Sequence, residues 1–205
     1  MELKSHWEHI YETKNSAQVS WYKPHLDLSL QMIGRTGVGK DARIIDVGGG
    51  ASTLVDDLLA NGYQNLTVLD ISAASMQVAR NRLGEQANRV TWLEADITQV
   101  SLPENAYDIW HDRAVFHFLT NAQDRQQYIN MVRHSLKAGG YIIMATFAPD
   151  GPTQCSGLDV IRYSADGLHE EFGGDFELVE SLRETHSTPF GTEQKFIYCY
   201  CQKRG

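Results

Sequence analysis

The segment that most constrains the fold is a short apolar stretch, R-I-I-D-V at 43–47, which runs directly into three glycines at 48–50. A helix-like run follows at about 52–61. A strand, a glycine turn and a helix in this order are typical of the first unit of an open parallel sheet. Such sheets bind ligands at the carboxyl ends of their strands, beside a helix N-terminus. The turn therefore predicts a ligand site here.

Strand-like and helix-like segments alternate along most of the chain. We predict parallel strands at 43–47, 66–70, 90–94, 107–112 and 141–147, helices at about 52–61, 73–83, 121–136 and 164–172, and a final strand pair at 176–186 and 195–202. This alternation predicts an α/β fold with helices covering a sheet. We expect a single domain at 1–205, in which residues 1–36 form two helices ahead of a core at 37–205.

Charge and composition narrow the choice of partners. The 205 residues carry 18 basic and 26 acidic side chains, a formal charge of −8, which is the wrong sign for a nucleic-acid binder. No apolar run approaches the roughly 18 residues of a membrane span, and no secretory signal is recognised, so we expect a cytoplasmic protein without membrane association. Three cysteines without C-x-x-C spacing fit a reducing compartment.

The glycine turn does not fit the two commonest phosphate-binding motifs. Counting from Gly48, the third glycine of a G-x-G-x-x-G fingerprint is replaced by Thr53. A P-loop is also excluded, because no lysine follows the glycines. The strand instead ends with an acidic residue, Asp46, which would repel a pyrophosphate. A carboxylate beside a glycine turn indicates a ligand that carries positive charge.

Two further carboxylates follow the next two strands. Asp70 closes the second strand, roughly 20 residues beyond the glycine turn, where an acid accepts hydrogen bonds from ribose hydroxyls. Asp96 follows the third strand and can accept from an exocyclic amine, while Ile97 lies against a flat base. Together with Asp46, these residues predict a site for adenosine with a cationic tail.

The order of these motifs resembles the class I S-adenosylmethionine-dependent methyltransferases over about residues 43–147. The motifs that carry the resemblance are D-V-G-G-G at 46–50, L-D-I-S at 69–72, E-A-D-I at 94–97, Y-D-I-W at 107–110, A-V-F-H-F-L at 114–119 and L-K-A-G-G-Y-I-I at 136–143. The resemblance implies a Rossmann-like sheet of seven strands, the last antiparallel, with helices on both faces, an N-terminal helical lid and S-adenosylmethionine as cofactor.

The resemblance also implies roles for individual residues. It implies cofactor contacts for residues at the ends of the first three strands, for one imidazole and for one indole. These residues are Asp46, Gly48, Gly49, Gly50, Asp70, Ile71, Asp96, Ile97, His111 and Trp21. An aromatic-rich leader with Trp7, Tyr11, Trp21 and Tyr22 is either ordinary helix packing or a lid over the cofactor.

The acceptor is expected to meet His111, Asp112 and Arg113, which follow the fourth strand and are the predicted catalytic residues. W-H-D-R-A is similar to the aspartate–arginine pair of thiopurine methyltransferases, which favours a small-molecule acceptor such as a thiol or another chalcogen. A protein-lysine methyltransferase is an alternative, although the D-K-G-x-x-D pattern after the fourth strand is missing. A third possibility is a non-catalytic protein that binds the cofactor. We expect a monomer or a homodimer.

Each candidate residue also has a purely structural interpretation. Asp46 and Asp70 are favoured helix N-cap residues. His117, between two phenylalanines, is more typical of a core histidine than of a catalytic one. Cys199 and Cys201 share a strand face and, with Cys155, suggest a soft-metal site, although small buried hydrophobes are the commoner case. The eight histidines show no metal-ligand spacing, so no metal is predicted.

Overall fold

The first described element is an N-terminal pair of helices. The computed structural model describes residues 3–205, so residues 1 and 2 of the predicted 1–36 segment lie outside the described part. Helix α1 (Leu3–Thr13) and helix α2 (Asp27–Arg35) are joined through a short 3-10 turn at Ser16–Gln18. Both helices and the position of their connection match the prediction.

Seven strands form the central sheet: β1 (Arg43–Val47), β2 (Asn65–Asp70), β3 (Val90–Glu94), β4 (Tyr107–Arg113), β5 (Leu136–Phe147), β8 (Phe176–Ser187) and β9 (Glu193–Lys203). Their order is β3-β2-β1-β4-β5-β9-β8. The pairs among β1 to β5 are parallel, and β9 is antiparallel to both of its neighbours. The predicted mixed sheet with an antiparallel last strand is confirmed.

Four more helices connect the strands: α3 (Leu54–Ala60), α4 (Ala73–Leu83), α5 (Ala122–Ser135) and α6 (Ala165–Phe172). Polar N-caps start three of them, because the side chains of Ser72, Asn121 and Ser164 accept from backbone amides in the first turn. Within residues 3–205, no helix is both long and apolar enough to cross a bilayer.

The structure departs from the prediction in two places. Strand β5 begins at Leu136, not at residue 141, because Leu136 already pairs with Tyr107 before the register shifts. The segment after β5 contains a small hairpin of β6 (Gln154–Cys155) and β7 (Leu158–Asp159), where the sequence had indicated only a turn region. This hairpin places Cys155 against the core.

The pleat of β4 separates its side chains onto two faces. Ile109 packs in the cluster that α2 and α3 cover, whereas Trp110 packs in the cluster that α5 and α6 cover. Because alternate residues of a strand point to opposite faces, His111 and Arg113 share the side of Ile109, and Asp112 shares the side of Trp110. Three consecutive candidate residues are therefore divided between the two faces of the sheet.

Candidate active site

A cavity of about 880 Å³, measured to its open mouth, lies at the carboxyl ends of the parallel strands. Toward the β2–β3 edge it is lined by Asp70, Ile71, Asp96 and Ile97, and toward β5 and β9 by Phe147, Phe196, Cys155 and Arg113. Helix α1 and the segment after it cover it with Trp7, Tyr11 and Trp21. The predicted ligand site at the strand ends is thus a cavity lined by a few polar groups and many apolar side chains, as is typical of ligand sites.

A second cavity of about 540 Å³ adjoins the first and contains Asp46, Gly49 and His111. The residues that line both cavities are Tyr11, Trp21, Val47, Gly48 and Arg113. The two cavities therefore meet at the glycine turn, with an aromatic pair and a guanidinium around the junction.

Asp70 is almost fully buried at the end of β2 and is held by the backbone around it. Its Oδ2 accepts from the Gly50 amide at 2.9 Å, and its Oδ1 accepts from the Ser72 amide at 2.9 Å. Burial raises the pKa of Asp70 to about 6, although these amides and Ser75 act in the opposite direction. A carboxylate oxygen accepts more than one hydrogen bond, so Asp70 retains acceptor capacity toward the cavity.

The glycine turn has no room for side chains. Gly48 has a φ of +69°, and a Cβ there would overlap the Val115 side chain. A Cβ on Gly49 would overlap the Asp46 carboxylate, and one on Gly50 would overlap Ser75 and Asp70. Gly48 and Gly49 line the second cavity, while Gly50 lies behind it and orients Asp70. The triplet brings the backbone and two carboxylates close together at one turn.

Asp46 takes part in a buried chain of three polar side chains. Its Oδ1 lies 2.7 Å from His111 Nδ1, and His111 Nε2 lies 2.9 Å from the Ser29 hydroxyl on α2. All three are less than 5% exposed. Asp46 Oδ2 is buried and has no hydrogen-bond partner among residues 3–205. Because a buried oxygen without a partner is costly, this atom indicates a ligand donor in the second cavity.

Neither Asp46 nor Asp70 is the N-cap of the helix that follows it. Thr53 occupies the N-cap of α3, and Asp46 instead bonds His111. Ser72 is the N-cap of α4, and Asp70 supports it through the Ser72 amide. Each carboxylate therefore lines one of the two cavities.

The segment after β3 supplies Asp96 and Ile97 to the first cavity. Asp96 Oδ1 accepts from the Thr98 amide at 2.9 Å and from the Thr98 hydroxyl at 2.7 Å, which fixes the turn. Ile97 is buried and Ile71 half-buried in the same wall. This end of the cavity therefore combines apolar side chains with one carboxylate.

Asp112 does not reach either cavity. Its carboxylate is fully buried on the α5 face, where it accepts from Tyr128 Oη at 2.6 Å, the Val115 amide at 2.8 Å and the Phe116 amide at 3.1 Å. The expectation that Asp112 faces the acceptor does not agree with this placement. Its contacts instead fix the turn after β4, on which the cavity residues Ala114 and Val115 lie.

Arg113 does line the cavity, on the face opposite Asp112. Nε donates to Tyr198 Oη at 3.1 Å, one terminal nitrogen donates to the Trp21 carbonyl at 3.2 Å, and the other lies 3.4 Å from Glu184. The guanidinium carbon lies 4.4 Å from the centre of the Phe196 ring. Arg113 therefore joins the N-terminal segment to the C-terminal hairpin within the cavity wall.

Helix α1 is fixed over the cavity by polar contacts at several points. The Glu8 carboxylate accepts from the amides of Ala73 and Ala74 at 2.8 and 3.0 Å, at the N-terminus of α4. Lys4 pairs with Glu94 at the end of β3. Trp7 packs edge-on against both Trp21 and Phe118. The aromatic residues Trp7, Tyr11 and Trp21 of this segment therefore line the cavity and also pack on their neighbours.

The remaining candidates have structural roles. His117 is fully buried, and burial lowers its pKa to about 3 while Nδ1 accepts from the Phe147 amide at 3.3 Å. Cys199 and Cys201 pack in the α5–α6 cluster, whereas Cys155 packs in the α2–α3 cluster, so the suggested three-cysteine site does not form. All three thiols are free and buried.

Two functional contacts were missed by the sequence analysis. Ser29 lies in an amphipathic helix, where a serine gave no sign of a buried contact with His111. Glu8 lies in a mixed-charge helix and caps a helix 65 positions along the chain. Neither spacing carries a local signal, because both contacts exist only once the N-terminal segment has docked.

Residues 45–144 match the family described as Methyltransferase domain. Together with the methyltransferases among its relatives, this match supports an enzyme that transfers a methyl group from S-adenosylmethionine. In fold, the chain is similar to solved structures of S-adenosylmethionine-dependent methyltransferases.

Two solved structures illustrate the likeness. One comes from work on the conversion of a disulfide bond into a thioacetal group during echinomycin biosynthesis; it is 13% identical, with a TM-score of 0.77 over 99% of this chain and 92% of that one. The other is a Burkholderia thailandensis 1,6-didemethyltoxoflavin-N1-methyltransferase with bound S-adenosylhomocysteine; it is 18% identical, with a TM-score of 0.72 over 99% and 88% of the two chains.

Curated relatives include protein methyltransferases at low identity. Human EEF1A lysine methyltransferase 2 is 20% identical over 87% of this chain and 76% of its own length. Bovine eEF1A lysine and N-terminal methyltransferase is 24% identical over 70% of this chain, which spans only 21% of that protein.

The described residues fit the cofactor. S-adenosylmethionine carries an ammonium group, and Asp46 Oδ2 is a buried acceptor that lacks a donor. Its ribose hydroxyls are suitable donors for Asp70, and its adenine could pack against the apolar side chains of Ile71 and Ile97. The backbone of Gly48 and Gly49, which has no room for a Cβ, lies between these positions.

Proposed function

We propose that this methyltransferase acts on a small-molecule nucleophile, with a thiol or another chalcogen as the favoured acceptor. The observation that carries the proposal is the chemistry of the β5–β9 end of the cavity. Within the described chain, this end contains aromatic rings, the Cys155 thiol and Arg113, and no carboxylate, imidazole or lysine. An acceptor bound there meets a cation and apolar walls.

The cofactor supplies a methyl group that is already electrophilic, so the protein chiefly has to align a nucleophile and exclude water. Asp46, Asp70 and Asp96 hold the cofactor, with His111 orienting Asp46. Arg113 and Trp21, at the junction of the two cavities, are the side chains that touch the acceptor.

The absence of a free base at this end discriminates between acceptors. An amine is protonated near neutral pH and must lose a proton before it attacks, whereas a thiolate is formed readily. His111 is engaged by Asp46 and Ser29, and Asp112 by Tyr128, so neither faces the acceptor. A nearby guanidinium favours an ionised thiol and disfavours an ammonium.

Residues 1–36 act as the lid over a core at 37–205. Trp7, Tyr11 and Trp21 close the cavity, and the Trp21 indole donates to Tyr11 Oη at 3.0 Å. A cover of this kind excludes water from a reactive sulfonium and limits the acceptor to molecules that fit beneath it. An extended polypeptide would require an open groove in place of this roof.

Protein-lysine methylation is the second candidate, because the curated relatives named above are lysine methyltransferases. Their identity of about one residue in five leaves the acceptor end free to differ. The arginine at this end is the feature that opposes a lysine acceptor.

The test is to follow the methyl label. Purified protein is incubated with methyl-labelled S-adenosylmethionine and, in parallel, alkyl and aryl thiols, a selenol, amines, phenols and a cell protein fraction. Labelled thioether or selenoether supports the proposal, and label in polypeptide contradicts it. Cofactor binding without any transfer would instead favour the non-catalytic alternative. Gly48→Val is the matched control, because its side chain has no room beside Val115.

We further propose that the enzyme works in the cytoplasm as a monomer or homodimer. Its three thiols are free and buried, which suits a reducing compartment. Light scattering of the purified protein measures the oligomeric state.

A further inference from the structure

Arg113 is the charged group at the acceptor end, and it is deeply placed. Its side chain is only 7% exposed, yet it lines both cavities. A guanidinium has five N–H donors, and the contacts to Tyr198, Trp21 and Glu184 use three of them. Two donors are therefore left without a protein acceptor in residues 3–205.

The charges around Arg113 do not cancel. Glu184 Oε1 accepts from Lys23 at 2.5 Å, and its other oxygen faces Arg113 at 3.4 Å. Although burial acts to raise it, the pKa of Glu184 is lowered overall by Arg113 and Lys23. Two cations thus share one carboxylate, and the cluster keeps one net positive charge at the edge of an apolar cavity.

The walls around this charge are aromatic. Phe147 and Phe196 pack edge to face with ring centres 4.8 Å apart on the sheet side. Trp7 and Phe118, with centres 5.3 Å apart, lie on the lid side. All four rings line the same cavity as Arg113. Aromatic walls bind flat apolar groups well, and a guanidinium with free donors in such surroundings binds a carboxylate strongly.

From this combination we infer that the acceptor is a flat, apolar molecule that carries an anionic group, such as a carboxylate, and that Arg113 is the residue that selects it. This inference rests on the proposed small-molecule function, since it names the class of molecule that the same site takes. The two free N–H donors bind the anion, and the aromatic rings hold the body of the molecule.

Binding of three matched probes tests the inference without turnover. The probes are 4-(methylthio)benzoate, 4-(methylthio)benzamide and 4-(methylthio)benzylamine, which differ in charge and hardly in size. Each is titrated by calorimetry into the full chain saturated with S-adenosylhomocysteine. We expect the carboxylate to bind at least tenfold more tightly than the amide, and the amine to bind most weakly. Equal affinities, or an amine that binds best, would overturn the inference.

Variants then assign the preference to Arg113. Arg113→Gln should reduce the preference for the carboxylate to less than threefold, and Arg113→Lys should keep part of it. Arg35→Gln, which removes an exposed arginine from α2, is the matched control and should behave as the parent. A full preference in Arg113→Gln would contradict the assignment. If Arg113→Gln does not fold, the wild-type probe series and the lysine variant still decide the question.

The binding test separates this inference from the proposed function. Label found only in polypeptide, together with a clear carboxylate preference, would contradict small-molecule methylation but leave the anion site standing. Methylated thiols, together with equal affinity for the three probes, would support the function and overturn the anion site.

Discussion

The imidazole of His111 on β4 lies 2.7 Å from the Asp46 carboxylate on the neighbouring strand β1, and it fixes that carboxylate at the glycine turn. Asp46 and His111 are direct partners in the strand register, so the contact follows from the pairing of β1 with β4. The Asp46 oxygen that His111 does not contact is the one without a partner. His111 thus positions the carboxylate that we propose to bind the cofactor's ammonium.

Replacing His111 is expected to weaken cofactor binding selectively. In His111→Phe, Asp46 loses its orienting partner, and we expect about a tenfold loss of affinity for S-adenosylhomocysteine in calorimetry. Ser29→Ala, which removes only the outer hydrogen bond, should cost threefold or less. Binding of 5′-methylthioadenosine, which has no amino acid portion, should not change; an equal loss for both ligands would show general disruption instead.

Asp70→Ala is expected to weaken binding of both of these ligands by about 1–3 kcal/mol, because ribose hydroxyls lose a charged acceptor. The parent should also bind more weakly as pH falls from 7 to 5. Its Asp70 carboxyl, with a pKa raised by burial to about 6, becomes protonated in that range. Titration calorimetry at several pH values measures both effects. An equally steep pH dependence in Asp70→Ala would assign it to another group.

Asp112 is expected to affect stability rather than cofactor binding. Asp112→Asn places an amide among three hydrogen-bond donors, and we expect a loss of about 1–3 kcal/mol in the free energy of unfolding. Affinity for S-adenosylhomocysteine should stay within twofold. Urea unfolding and calorimetry make the comparison, with Asp124→Asn at a half-buried position in the first turn of α5 as the control. A stable variant with lost turnover would return Asp112 to the acceptor site.

The same carboxyl gives stability a defined pH dependence. Burial raises the pKa of Asp112 to about 6, above the value near 4 in the unfolded chain, so the folded state binds more protons between these values. The contribution of Asp112 to stability is therefore present below about pH 4 and is lost as pH rises toward 6 and above. The difference in unfolding free energy between the parent and Asp112→Asn should therefore shrink as pH rises from about 4 to about 6. A difference that grows with pH would contradict the raised pKa.

Glu8 is expected to control how firmly the lid is held. Glu8→Gln removes a negative charge from the N-terminus of α4, an interaction worth about 0.3–1 kcal/mol at such a position. Amide hydrogen exchange in residues 3–13 should become faster. Glu12→Gln, on the exposed side of the same helix, is the control and should leave exchange unchanged. Unchanged exchange in Glu8→Gln would mean that the aromatic contacts alone hold α1.

Local patterns predicted most of the fold because the strands of this sheet are apolar runs that end at glycine, polar caps or acids. Strand β1, strand β3 and helix α4 have the predicted boundaries. The start of β5 was placed too late, because Leu136 pairs with Tyr107 ahead of an irregular part of the strand that contains Gly139 and Gly140. The β6–β7 hairpin is too short to produce a periodic signal.

The sequence predicted which residues at the strand ends line the cavities. It did not predict the placement of residues that depends on the face of a strand or on contacts with distant segments. Asp46, Asp70 and Asp96 lie at strand ends and meet the cavities. His111, Asp112 and Arg113 were assigned to one site because they are adjacent in sequence. Successive side chains of a strand point to opposite faces, so Asp112 had to point away from the other two. Ser29 and Glu8 depend on the docking of the N-terminal helices, which no local pattern encodes.

The contacts of Arg113 join parts of the chain that are distant in sequence. Its guanidinium contacts Trp21 on one side and Glu184 and Tyr198 on the other, and Lys23 reaches the same Glu184 from behind. The acceptor end is therefore complete only when the N-terminal helices and the β8–β9 pair have both docked on the parallel strands.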